Sequence, residues 1–459
     1  MARQFILLAC IAFVAWLFAR DRKKRPMTSG QLWLPTIWYL IIASRPVSLW
    51  LSGEVKGPEN PNDYLEGSPM DRNFYLLLIA LGVGVLVRRG LNWARIFSAN
   101  SWVIWLFGFY LLSAVWSDYS FVALKRWIKD IGNVVMALIV LTERDPVAAI
   151  RALMARATYI CVPFSVITIK YYGEIGRYVT SSWENAFCGV TTEKNALGLV
   201  ALIAGIFLVW DYVEERVRPG AKTDQADLWS RVLLMLGVFF LIRKANSSTA
   251  LVCLMMGAGL VVGMRTQIAR RWVAYLGTYA LVAAFGIFLF VSVPGLLKTF
   301  LDLLGEDITL TGRTELWGEL MAERINPLLG TGYQSFWLGP RAEVYWEKWS
   351  FHPNQAHNGY LESYLNGGII AVMLIVGLLI VTGARLKRLL VKNNESARLL
   401  FAYFVVIVFY NWTEAMFNKM SPIWFVQLIT VMVYPARQAV SAMAAAAGPA
   451  TSTLAHGTR

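Results

Sequence analysis

One histidine and a handful of cations stand out in this chain for what their side chains could do. His357 carries the kind of side chain whose unperturbed pKa lies near neutrality, which suits a general base. Arg126, Lys194, Arg243, Lys244 and Arg313 could hold an anion, because arginine's planar fork pairs with phosphate oxygens and any cation stabilises negative charge growing on a leaving group. A base together with anion holders describes displacement of an anionic group by a deprotonated hydroxyl. Blander readings stand beside this one. His357 could be an interfacial residue bonded to a loop carbonyl, and His352, on a proline-containing loop, a surface residue. The cations could snorkel or pair locally, Arg126 with Asp130 one turn on and Lys194 with the adjacent Glu193.

The elements that must position these groups are membrane helices. Of the 459 residues, 57% are hydrophobic and 16% charged, against roughly 25% charged in soluble domains. Apolar stretches of about 15 to 22 residues recur along the length, and in hydrocarbon a helix satisfies its own backbone over such a stretch. The expectation is an all-α integral membrane protein with about twelve or thirteen transmembrane helices and one large periplasmic loop carrying short helices. Residues 1–30 read as an N-terminal anchor helix and basic cytoplasmic loop, since the run Arg20-Asp21-Arg22-Lys23-Lys24-Arg25 follows the apolar segment instead of preceding it as in a secretory signal. Residues 31–293 read as a transmembrane bundle, including a helix over 272–293. The large loop is 294–358, the C-terminal transmembrane helices are 359–436, and 437–459 is a disordered cytoplasmic tail.

The positive-inside rule sets the orientation. With residues 20–30 inside, alternation leaves 294–358 outside, together with His357 at the junction of that loop with the helix near Gly359 and the cations named above. Within the loop, Leu316, Leu320 and Met321 predict a short amphipathic helix capped by Thr311 or Thr314, Asn326 to Gly332 a turn, and 341–349 a second helix.

Several classes fall away. The net charge of +14 comes from bases spread over cytoplasmic loops beside an anionic leaflet, which gives no nucleic-acid reading. Four cysteines (Cys10, Cys161, Cys188, Cys253) and three histidines offer no disulfide framework and no metal centre, and no phosphate-cradling Gly-Lys-Ser/Thr loop supports a nucleotide-driven mechanism. No metal and no cofactor is expected. A polysaccharide or lipid transporter is the rival from another class, although it gives no reason for a long outer loop ending in a histidine. A cell-wall polymerase would rest instead on an outer carboxylate, for which Glu362 and Glu414 are the candidates. The chemistry that suits the set best starts from a lipid-linked sugar diphosphate entering sideways from the outer leaflet. Arginines hold the diphosphate, His357 takes the proton of an acceptor hydroxyl, and the diphosphate leaves as an anion without a general acid.

On its motifs the sequence resembles the O-antigen ligase and polymerase superfamily of bacterial membrane glycosyltransferases. The resemblance is carried by His357-Asn358-Gly359-Tyr360-Leu361-Glu362 with Gly367-Gly368, by Gly312-Arg313-Thr314-Glu315-Leu316-Trp317 and by Asn326-Pro327-Leu328-Leu329-Gly330-Thr331-Gly332. Trp116-Ser117-Asp118, Glu193-Lys194-Asn195 and Arg243 before Ser247-Ser248-Thr249 add to it, and it covers roughly residues 30–435. It implies a GT-C-like fold in the bacterial inner membrane, its active site facing the periplasm, acting without metal or nucleotide sugar on a polyprenyl-diphosphate-linked glycan. It implies His357 as acceptor base, Arg313 and Arg243 as diphosphate ligands with Lys194 and Arg126 as weaker additions, and Lys244, Asn358 and Glu362 in support. The acceptor would be lipid A core for an O-antigen ligase, the first reading, or a second lipid-linked glycan for an exopolysaccharide or O-antigen polymerase. A chain-length regulator is a further partner of such enzymes. The sequence departs from the family pattern at Ile242-Arg243-Lys244-Ala245-Asn246-Ser247, where Arg243 and Lys244 could exchange roles, and in its additional first helix.

Overall fold

Helix starts in this protein follow from short polar signals. Asp145 caps the helix Pro146–Tyr171 by accepting from the Val147 and Ala148 amides, both at 3.0 Å, and Ser421 caps Pro422–Val431 through the Trp424 amide at 3.3 Å. Ser68 does the same for Pro69–Arg88. In each case proline follows the cap, at a position whose N–H the first turn leaves unpaired anyway. The structure, a computed structural model, describes residues 2–24, 28–52, 67–179, 185–217, 224–273, 275, 313–349 and 351–434. The fold is all-α; among the described residues the strands are Arg177–Val179 and Asn185–Phe187, a short antiparallel pair with Tyr178 opposite Ala186.

Seven of the described helices are long and apolar enough to cross a membrane, or up to nine if each of two bent pairs counts as one span. The bent pairs are Trp93–Ala99 with Ser101–Ser113, at 89°, and Ser248–Gly263 with Gln267–Val273, at 112°. Gly30–Ile42 and Pro422–Val431 are apolar but short, while Ser120–Leu141 is long yet carries Lys125, Arg126, Lys129 and Asp130. The chain is thus a multi-pass membrane protein. Among the described residues several of the expected spans are bent, short or charged. The N-terminal segment is one of the seven. The expected helix over 272–293 lies almost wholly outside the described residues, as do Thr311, Gly312, His456 and the tail from 437.

Lys194–Val217 is the central post, buried continuously from Leu197 to Leu208 and packed against Ser248–Gly263, Gln225–Ala245, Glu395–Thr413 and Pro146–Tyr171. At one end of the bundle the helices are joined by buried ion pairs. Arg398 meets Glu214 with two bonds of 2.7 Å, and Arg151 reaches Asp211 at 3.1 Å and Glu395 at 2.8 Å. Forked pairing of this kind satisfies charges that could not otherwise be buried.

The loop around 326–332 is built into the opposite end. The helix Gly359–Val391 breaks at Gly368, whose φ of +59° and ψ of −163° are non-helical. The loop docks on that break: Thr331 and Gly332 amides donate to the Leu365 and Asn366 carbonyls at 3.0 and 2.9 Å, and the Ile369 amide donates to the Pro327 carbonyl at 2.9 Å. A Cβ on Gly368 would stand 2.2 Å from the Leu328 carbonyl carbon, so the glycine is required by close approach as well as by its left-handed φ. Backbone groups freed by the break are in this way paired within the protein. The first expected loop helix runs from Arg313 to Ala322, which places Thr314 inside it and not at its cap; the second, expected over 341–349, runs from Gly339 to Lys348.

Candidate functional site

Helix Glu395–Thr413 stops one residue short of Glu414, whose side chain is buried, 6% exposed. Three partners from three other segments converge on this carboxylate. Asn195, in the first turn of the central post, donates to Oε1 at 3.1 Å. Arg313, the first residue of its short helix, donates to Oε1 at 3.3 Å and to the Thr413 carbonyl at 2.6 Å. His357 Nδ1 lies 3.2 Å from Oε2. A carboxylate facing Nδ1 favours the tautomer with the proton on Nδ1, and Nε2 then keeps the lone pair a general base needs.

His357 is held by its neighbours in sequence. It has a left-handed φ of +49°, and Asn358 behind it caps Gly359–Val391 by accepting from the Tyr360 and Leu361 amides at 3.0 and 3.1 Å. Glu362, one turn on, reaches back to accept from the Ala356 amide at 2.8 Å and from the Trp337 indole at 3.0 Å. Two of the three residues expected in support, Asn358 and Glu362, are therefore a helix cap and a clamp on the turn that presents the imidazole. His352 is exposed and stacks on Trp346 at 4.8 Å.

Beside this cluster opens a cavity of 610 Å³ with a polar side and an apolar side. Arg72, Lys125, Arg126, Lys129 and Lys419 line it together with Asp71 and Glu193, while Leu76, Ile79 and Ile128 form its apolar flank. Arg126 donates to the Gln334 carbonyl. Asp130 turns inward, accepting from Tyr333 at 2.8 Å, Asn133 at 2.7 Å and Trp424 at 3.0 Å, and so fastens the docked loop to the bundle. Lys419 donates to Gln355 at 3.2 Å. Glu193 opens onto the cavity yet is surrounded by protein; burial first, and then the charge of Glu414, raise its carboxyl above the ordinary range, while His357 and Lys419 oppose the shift. That coupling ties the cavity wall to the histidine cluster.

The structure brings His357 and Arg313 together and sets Arg126 on the cavity wall. Lys194 sits exposed at the start of the central post. Arg243 is exposed at the end of its helix and makes no hydrogen bond or ion pair with a described residue, whereas Lys244 lies 4.5 Å over the Phe187 ring. Both belong to the same end of the bundle, since Thr249 just beyond them is 3.4 Å from the Thr413 hydroxyl beside Glu414. Sequence reasoning gave Glu414 only the part of an alternative carboxylate and left Asn195 and Lys419 without a role. The available signal was a lone acid closing an apolar helix. Among the described residues no group of three or more His, Cys, Asp or Glu could hold a metal ion.

Residues 231–376 match the family described as O-antigen ligase. The chain is also 27% identical over 312 residues, 64% of its own length and 67% of the relative's, to the exopolysaccharide production protein ExoQ of Rhizobium meliloti (strain 1021). Both matches support the resemblance of this chain to the O-antigen ligase and polymerase superfamily. The stretch matching the O-antigen ligase family contains Arg243, Lys244, Arg313, His357, Asn358 and Glu362, and ends before Glu414.

Proposed function

We propose that the protein transfers a glycan from a polyprenyl diphosphate to an acceptor hydroxyl at the periplasmic face of the inner membrane. His357 Nε2 removes the hydroxyl proton, the oxygen attacks the anomeric carbon, and the bond from that carbon to the diphosphate oxygen breaks. The departing diphosphate is stabilised by Arg313 and by the cavity cations that include Arg126, with Arg243 and Lys194 at the same end of the bundle available to the donor. Glu414 holds the imidazole and stabilises the imidazolium formed in the step. The observation that carries this reading is a histidine and an arginine sharing one buried carboxylate beside a cavity that is cationic on one side and apolar on the other.

Two acceptors fit the same donor chemistry. The name of the Rhizobium meliloti relative favours a second lipid-linked glycan and hence repeat-unit polymerisation in exopolysaccharide production; the matched family's description favours lipid A core and hence ligation. The test is transfer by the purified full-length protein in lipid nanodiscs, with a polyprenyl-diphosphate-linked repeat unit as donor and each acceptor in turn, products being read by mass spectrometry. Lengthened lipid-linked glycan means polymerisation and glycosylated core means ligation. His357→Ala is expected to lower either rate by about a hundred- to ten-thousandfold, and wild-type transfer by the folded variant would refute the base.

A further inference from the structure

A second cavity, of 440 Å³, adjoins the cationic one and is left unused by the chemistry above. Its volume falls within the roughly 300–1,000 Å³ typical of ligand pockets, and its walls are hydrocarbon, chiefly Leu7, Leu40, Trp50, Ile160, Phe164 and Ile167. The two cavities meet at Ser44, which lines both, and at the consecutive residues Val190 and Thr191, one lining each. Arg45 fixes this junction by donating to the carbonyls of Thr191, at 3.2 Å, and Ile175.

The outer wall is the N-terminal helix Ala2–Lys24. Its stripe Cys10, Val14 and Leu17 is buried, and the helix packs on Pro146–Tyr171. Nearer its start it is attached again, where the Tyr172 hydroxyl donates to the Arg3 carbonyl at 3.0 Å and Arg3 pairs with Glu174 at 3.3 Å. Leu7 falls between these attachments, and there the helix spans a gap instead of filling it. Protein interiors are close-packed, and an apolar cavity does not hold water. A gap kept open by contacts on both sides, in a membrane protein, is a place for a hydrocarbon chain.

We propose that the polyprenyl chain of a lipid-linked diphosphate substrate lies in this apolar chamber behind the N-terminal helix while its diphosphate occupies the adjoining cationic cavity. The proposal rests on the glycosyl-transfer reading above. Charge selects this occupant: five cations and two carboxylates line the neighbouring cavity, a surplus suited to the several negative charges of a diphosphate. In the bilayer the chain's alternative surroundings are also hydrocarbon, so the chamber retains a lipid-linked substrate through packing contacts with its walls and not through transfer from water. The N-terminal helix, which lies outside the stretch matching the O-antigen ligase family, becomes part of a substrate site.

Ile167→Trp and Leu7→Trp fill the chamber from facing walls and form the test. Transfer by the full-length protein in nanodiscs is measured with two donors that carry the same glycan diphosphate, one on a long polyprenyl chain and one on a short prenyl chain. In both variants KM for the long-chain donor is expected to rise by about fivefold, as the chain loses its packing contacts with the chamber walls. KM for the short-chain donor and kcat for both donors stay at wild-type values. Equal changes for both donors, or none for either in folded protein, would overturn the proposal. If wild-type protein transfers from neither donor, the glycosyl-transfer reading has failed separately, and binding is then read with glycan-free polyprenyl diphosphate bearing a photoactivatable group on its chain. Labelling within 2–24 or 160–168 that excess phospholipid does not compete away supports the chamber. Labelling confined to outward faces, or lost to phospholipid, overturns it.

Discussion

Replacing Glu414 with glutamine keeps the size of the side chain and an acceptor oxygen while removing the charge that faces the imidazole. Two unit charges 3.2 Å apart, the separation between His357 Nδ1 and Glu414 Oε2, interact by about 5 kcal/mol at an effective dielectric of ~20. That figure is a ceiling for the stabilisation Glu414 gives an imidazolium, because Arg313 and Asn195 bind the same carboxylate and already draw on its charge. Allowing roughly 3 to 4 kcal/mol to be lost, and a tenfold rate change per ~1.4 kcal/mol, kcat of Glu414→Gln is expected to fall about a hundred- to a thousandfold. KM for the donor should change far less, since the loss belongs to the transition state. The assay is steady-state release of polyprenyl diphosphate from the lipid-linked glycan by protein in nanodiscs, with thermal unfolding measured alongside because the carboxylate is buried. A folded Glu414→Gln protein whose kcat stays within about threefold of wild type would show that the pair does not act in the reaction.

Other outcomes follow from the same geometry. Arg313→Ala is expected to raise the donor KM by about tenfold or more, as a charged hydrogen bond is worth roughly 1.5–3 kcal/mol, with Arg313→Lys recovering part of it in steady-state kinetics. An unchanged donor KM would leave Arg313 as a structural partner of Glu414 only. At the other end of the bundle, Arg398→Ala takes both hydrogen bonds from the buried Glu214, leaving it Arg265 at 4.0 Å, and is expected to cost about 3 kcal/mol of stability, whereas Arg398→Met combined with Glu214→Leu should recover most of it in thermal unfolding.

What could be read from the sequence divides by the distance over which it acts. The all-α membrane class, the two short loop helices and the choice of His357 and Arg313 as candidates depend on composition, local periodicity and rare residue types in an apolar chain, all visible in one dimension. The partner of those two residues was not. Glu414 lies 57 residues from His357, 101 from Arg313 and 219 from Asn195, and neither spacing nor propensity announces such a meeting. Asp130 shows the same limit in the other direction. Beside Arg126 on one helix it looks like a surface ion pair, yet its place is in a buried network with Tyr333 and Trp424. Gly367-Gly368 could be recognised as a motif, but the reason for it, a loop laid across a broken helix, needed the packing. Charges and bends interrupt several of the expected spans, and the charges in Ser120–Leu141 supply three of the cavity cations, Lys125, Arg126 and Lys129.

The docking of Pro327 to Gly332 on the break at Gly368 also bears on traffic. A segment stitched through its backbone to the interior of a helix cannot swing aside between turnovers, so this rim behaves as a fixed cornice and not as a door. On the proposed transfer reading, lipid-borne substrates slide in from the side of the bundle and slide out again past a rim that keeps its place.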